Sequence, residues 1–142
     1  MRNLSALIAA AMVCSAAGSA SASVVTGLHD TLSATPDHYV GSCPGVITFH
    51  GQIKVTGDFQ NGQKVEIGYQ FTRSDGGTGE NQYLEVPGPG VYDITTTWTL
   101  GGAQLPHFSG WEKFKAWPTD SAQNRTGDTF SNEAHFTLEC RR

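Results

Sequence analysis

Lys64 to Arg73 reads KVEIGYQFTR. Val65, Ile67, Tyr69, Phe71 and Arg73 alternate with Lys64, Glu66, Gly68, Gln70 and Thr72, the two-residue period of a strand with one face in a core. Upstream, Ile47, Phe49, Gly51, Ile53 and Val55 alternate in the same way with Thr48, His50, Gln52 and Lys54. Gly57, Asp58, Asn61 and Gly62 lie between the two runs. Asn and Gly tolerate positive φ, so this turn predicts a hairpin whose two strands are neighbours in one sheet.

Downstream, SDGGTGEN (Ser74 to Asn81) is a polar, glycine-rich loop, and a short strand from Gln82 to Val86 ends at Pro87, Gly88, Pro89 and Gly90. Tyr92, Ile94, Thr96, Trp98 and Leu100 then alternate with Asp93, Thr95, Thr97 and Thr99, which turns Trp98 inward as the largest core residue. A strand over Gly110 to Trp117 follows, and Pro118 stops its pairing for want of an N–H. Its buried face stays open, because Trp111 and Trp117 share a parity with Lys113 and Lys115 while Phe114 and Ala116 share the other with Glu112. In the last strand Ala134, Phe136, Leu138 and Cys140 point in, and Glu133, His135, Thr137 and Glu139 point out. Six or seven short strands joined by turns, without helices, predict an all-β, antiparallel sandwich.

Ahead of this body, residues 1 to 22 carry Arg2, an apolar run from Leu4 to Val13 and the small residues Ser19, Ala20, Ser21 and Ala22. These are the parts of a cleavable signal peptide, with cleavage expected after Ala22. The apolar run is too short for a transmembrane anchor, so none is expected in the mature chain. Cys14 follows Val13 rather than a small residue, which argues against a lipidated cysteine. The expected organisation is a signal at 1–22, an N-terminal arm or edge strand at 23–41, and the sandwich at 42–142. The expected location is extracellular or periplasmic.

The formal charge is −4, and loss of Arg2 with the signal makes it −5. With no basic cluster to neutralise phosphates, nucleic acid is excluded as a partner, and an anionic membrane is disfavoured. About 120 mature residues suit one domain with one core.

Cys43 and Cys140 stand at the two ends of the strand-rich body. In an exported chain they are expected to pair, closing a loop of roughly 100 residues and removing up to about 4.7 kcal/mol of chain entropy from the unfolded state. Neither has the close CxxC spacing or histidine partner of a metal site.

The strand after Cys43, the segment YQFTRSDGG from Tyr69 to Gly77, Trp98 in a Thr-rich strand, Gly110 with Trp111, and a final strand ending in Cys140 together resemble small secreted bacterial immunoglobulin-like or fibronectin-like domains. The resemblance covers nearly all of residues 42 to 142. It implies a sandwich of about seven strands and brings no activity with it. The chain departs from antibody domains in that its cysteines bracket the whole body and Leu138, not Tyr, stands two residues before the second.

No nucleophile elbow, zinc helix, phosphate loop or EF-hand loop is present in the sequence. His29, His38, His50, His107 and His135 are scattered, so no metal or cofactor is expected. Glu66, Asp75, Glu80, Glu85, Asp93 and Glu112 offer carboxylate pairs for hydrolysis, but outward strand positions and loops ordinarily carry solvated charge. Two candidate recognition elements remain. One is the 74–81 loop with Asp75 and Glu80, which falls short of the six to eight oxygens that Ca²⁺ requires. The other is Tyr83, Trp111 and Trp117, which would serve a sugar or a protein partner if both tryptophans were well over half exposed on one face. Asn124, Arg125 and Thr126 form a glycosylation sequon. The expected function is a secreted, non-enzymatic binding or adhesion-like module for an extracellular protein or glycan. The alternatives are a small secreted carboxylate-dependent hydrolase, or an extracellular protease inhibitor presenting a rigid loop.

Overall fold

A computed structural model describes residues 22–120 and 127–142. The signal segment up to residue 21 and the sequon at 124–126 lie outside the described residues. Among the described residues nine strands follow one another: β1 (Val24–Thr35), β2 (His38–Gly41), β3 (Gly45–Asp58), β4 (Val65–Arg73), β5 (Gln82–Val86), β6 (Gly90–Leu100), β7 (His107–Pro118), β8 (Thr129–Phe130) and β9 (Ala134–Cys140). They form two sheets. The smaller runs β1-β3-β6, and the larger runs β2-β9-β7-β4-β5 with β8 added on β7. All pairings are antiparallel except β2 with β9. This is an immunoglobulin-like β-sandwich.

The alternation read from the sequence sets which residues meet between the sheets. Ile47, Phe49, Ile53 and Val55 of β3 face Val65, Ile67 and Phe71 of β4 and Phe114 and Ala116 of β7 in one buried cluster. At one end Trp98, 6 % exposed, packs edge-on against Phe108 and Phe136, with ring centroids 5.4 and 5.3 Å apart, a geometry that aligns ring edges with ring faces. The segment expected as an arm or edge strand, 23–41, forms β1, an edge of the smaller sheet, and β2, an edge of the larger. Its Val25 and Leu32 belong to the same core as the residues after position 42.

One expectation fails. β3 and β4 are not neighbours, because they lie in different sheets. Gly62 does take a positive φ of 74°, and Gln63 N–H donates to the Gln60 carbonyl, so the turn is tight as its residues predict. Both edges of β3, however, are already taken by β1 and β6. The chain therefore crosses to the other sheet.

Cys43 and Cys140 are bonded, with Cα atoms 5.5 Å apart across a sequence separation of 97. The bridge ties the β2–β3 turn to the end of β9. Gly101 closes over it: its φ is +96°, and a Cβ there would lie 2.7 Å from Cys43 Sγ and 3.0 Å from Cys140 Sγ.

Candidate functional site

β7 decides where chemistry lies in this molecule. Paired with β4 from Ile67↔Pro118 to Arg73↔Glu112 and with β9 from His107↔Glu139 to Glu112↔Ala134, it is the central strand of the larger sheet. Gly110, Glu112, Phe114, Ala116 and Pro118 face inward and are buried, whereas Trp111, Lys113, Lys115 and Trp117 face outward and are half-buried. The ambiguity left by the sequence is thus resolved in favour of phenylalanine inside, where Phe114 meets Phe71 at 5.6 Å.

The outer face carries the aromatic candidates. Trp117 lies against Gly68 of β4, where a Cβ would stand 2.5 Å from the indole Cε2. Gly68 also pairs with Tyr83 of β5, so Tyr83 and Trp117 flank one glycine from either side. Lys113 Nζ sits 5.2 Å from the Trp111 ring centroid and Lys115 Nζ 5.3 Å from that of Trp117, which attracts each ammonium to the negative ring face. Phe130 of β8 stands beside Lys115, and it and Tyr83 are 62 % and 56 % exposed. Trp111 and Trp117 do share one face, but neither is well over half exposed. The exposed aromatic area comes from Tyr83 and from Phe130, a residue sequence reading missed because it lies outside any recognisable strand pattern.

The 74–81 loop is pinned to the sheet and does not project freely. Arg73 N–H donates to the Gly77 carbonyl and Gly79 N–H to that of Phe71, while Ser74 N–H donates to the Trp111 carbonyl and Trp111 N–H to Ser74 Oγ. Asp75 serves the loop itself. It accepts from Gly77 N–H at 2.9 Å and from Arg73 Nε and Nη2, each at 3.1 Å. The Gly77 amide foremost, with the Arg73 guanidinium, holds its carboxyl below the usual range. Glu80 is exposed. No group of three or more His, Cys, Asp or Glu side chains positioned to hold a metal occurs among the described residues.

Beneath this loop lies a feature that sequence reading assigned to solvent. Glu112 is 3 % exposed, and its Oε2 has no hydrogen-bond partner. Burial pushes its carboxyl up to about 7; the Arg73 guanidinium works against that rise and the Asp75 carboxylate adds to it. Although Arg73 is the cross-strand partner of Glu112, its guanidinium is committed to Asp75 and lies 4.6 Å from the centroid of the Trp98 ring. Phe71, Arg73, Gln82, Thr96, Thr97 and Glu112, with the 77–79 segment of the loop, line an open pocket of about 250 Å³. The sequence did hold a signal, since Arg73 and Glu112 both occupy the parity of core phenylalanines. A second buried carboxyl, Asp30 on β1, accepts from Thr129 Oγ1 at 2.6 Å and is raised by burial. It belongs to the opposite open side of the sandwich, so the two cannot act as an acid–base pair.

Comparison with known proteins gives little more. No protein-family model matches the chain, and no curated protein matches it significantly. Among solved structures it is similar to the CARDB domain of a Pyrococcus furiosus protein, solved in complex with di-metal ions. That likeness has 18 % identity and a TM-score of 0.48, and covers 80 % of this chain and 92 % of that one. It is also similar to a Bordetella pertussis protein described as ApaA, at 12 % identity and a TM-score of 0.34, over 85 % and 97 % of the two chains. Likenesses of this grade carry no argument about a site. The fold stands on its own strand order.

Proposed function

We propose that this protein is an exported, non-enzymatic binding module that holds a protein partner on the outer face of its larger sheet. One observation carries the reading: Tyr83 and Phe130 stand 56 % and 62 % exposed on the outer face, beside the half-buried Trp111 and Trp117 that flank Lys113 and Lys115 on β7. Aromatic side chains clustered on a rigid surface are the composition of binding hot spots. A protein is favoured over a glycan because sugar stacking needs a free ring face, and the lysines already occupy the Trp111 and Trp117 rings.

A hydrolase would need a groove holding two carboxyls; the cavity at Glu112 is lined by one, and Asp75 is engaged by Arg73. Export is supported by the sequence signal and by the disulfide, which belongs to oxidising compartments. No helix among the described residues is long and apolar enough to cross a membrane. Ser23, the expected first mature residue, is fully buried. Its N–H donates to Gln63 Oε1 and its Oγ accepts from Gln60 N–H, so the folded body reaches back to the expected cleavage point.

The test is affinity capture from the extracellular milieu with the wild type and with a Trp111→Ala/Trp117→Ala variant of matching thermal stability, alongside a glycan array. A protein held by the wild type and lost by the variant, with the array blank, is the expected result. Equal capture by both, or tryptophan-dependent glycan binding, overturns the reading.

A further inference from the structure

Among the described residues the edge strands are β1, β2, β5, β6 and the two-residue β8, and all but β6 are short or covered. β2 and β5 are only four and five residues long. β1 carries a register shift between Val25 and Gly27, and the Asn132 side chain both donates to the Leu32 carbonyl and accepts from its N–H, each at 2.9 Å. β6 has none of these devices. It runs for eleven residues, pairs with β3 without a register shift, and contains no proline, no basic residue and one charge, Asp93. No backbone hydrogen bond described here joins it to anything but β3. Alternate residues of such a strand turn their N–H and C=O groups outward, and a long unprotected edge of this kind is a template for another strand.

The cavity over Glu112 lies at this same edge. Its lining includes Thr96, on the inward parity of β6, and Thr97, on the outward parity. A space bordered by both parities opens at the strand's edge rather than on either face of the sheet. A strand added to β6 would therefore cross its mouth.

The geometry points to a peptide site: β6 accepts an extended segment of a partner protein that inserts a lysine into the cavity over Glu112. The choice of lysine follows from the charges present. Arg73 of β4 is matched by Asp75 of the loop, while Thr96 and Thr97 of β6 and Ala134 of β9 bring no charge. The nearby Arg73 charge is thus bonded elsewhere and leaves Glu112 Oε2 without a partner, which an ammonium supplies. Phe71 gives the methylene stem an apolar wall. Main-chain pairing then provides affinity and the cavity provides selection, the division of labour found in strand addition. This site is separate from the tryptophan face, and either can fail without the other.

The experiment uses an acetylated, amidated peptide Thr-Val-Thr-Lys-Thr-Val-Thr titrated into isotope-labelled protein at pH 7, followed by amide chemical shifts. Three comparisons accompany it: norleucine in place of the lysine, N-methylation at alternate residues, and the Glu112→Gln variant. The expected result is movement of the Thr95 to Trp98 amides, affinity lower by at least about tenfold for the norleucine peptide and for Glu112→Gln, and no binding of the N-methylated peptide. The norleucine comparison needs no variant, so it decides the point even if Glu112→Gln folds poorly. Absence of binding at millimolar peptide overturns the proposal, as does equal affinity for lysine and norleucine. Concentration-dependent dimerisation through β6 also overturns it, because a second copy of the chain would then hold the edge.

Discussion

Glu112 is a buried carboxyl with one oxygen unpartnered, and its titration makes a pH prediction. The carboxyl titrates near 4.5 when unfolded and near 7 when folded, so between those values the folded state binds the extra proton. Stability from this group therefore falls as pH rises from about 4.5 to about 7, by up to about 3 kcal/mol, and is level above. Asp30 is shifted in the same direction, so the clean measurement is a difference. The melting temperature of the wild type minus that of Glu112→Gln should decline across this window; parallel curves would show that Glu112 ionises normally. At Gly101 the constraint is steric. Gly101→Ala combines a φ of +96° with contact on both sulfurs, and denaturant melts should show a loss of about 1–3 kcal/mol. The sequence shows a glycine there between strands, but only the fold reveals the disulfide beneath it.

Elements were legible where one face is apolar and the other polar. The alternation in β3, β4, β6 and β9 fixed their inward residues, because a period of two admits one assignment once a core exists on one side. In β7 it did not, since tryptophans, lysines, phenylalanine and glutamate divide between the parities without an apolar majority. What decided the matter was the neighbours: β4 and β9 both present phenylalanine inward, leaving the larger indoles and the lysines to the surface. The β3–β4 hairpin misled for another reason. Turn residues specify a local reversal, whereas partner choice depends on which edges remain free. The strongest element-scale prediction concerns β1, whose edge is closed by one side chain. Asn132→Ala removes both bonds to the Leu32 backbone, and should cost about 1–2 kcal/mol. Hydrogen exchange should accelerate in β1 before β3; unchanged exchange in β1 would show that Asn132 is a bystander.

For the whole molecule, the disulfide and the two proposed recognition surfaces are separable. Replacing Cys43 and Cys140 together by alanine frees a segment of 97 residues and should lower stability by about 2–4 kcal/mol, read from the urea midpoint, while leaving the outer face of β7 in place. A stable variant with altered tryptophan fluorescence would contradict that separation. Architecture was readable from the chain because it rests on composition, spacing and period. The candidate sites were only half readable, because the tryptophan face and the Glu112 cavity exist through residues on different strands. The central claim is that the outer face of the larger sheet holds a protein. The most direct test is photo-crosslinking in the extracellular milieu from benzoylphenylalanine at position 115, beside Trp117, and at position 52 on the exposed face of the smaller sheet. Covalent adducts to a protein from position 115 and none from position 52 are predicted. Adducts from position 52 alone, or from neither position, would contradict it.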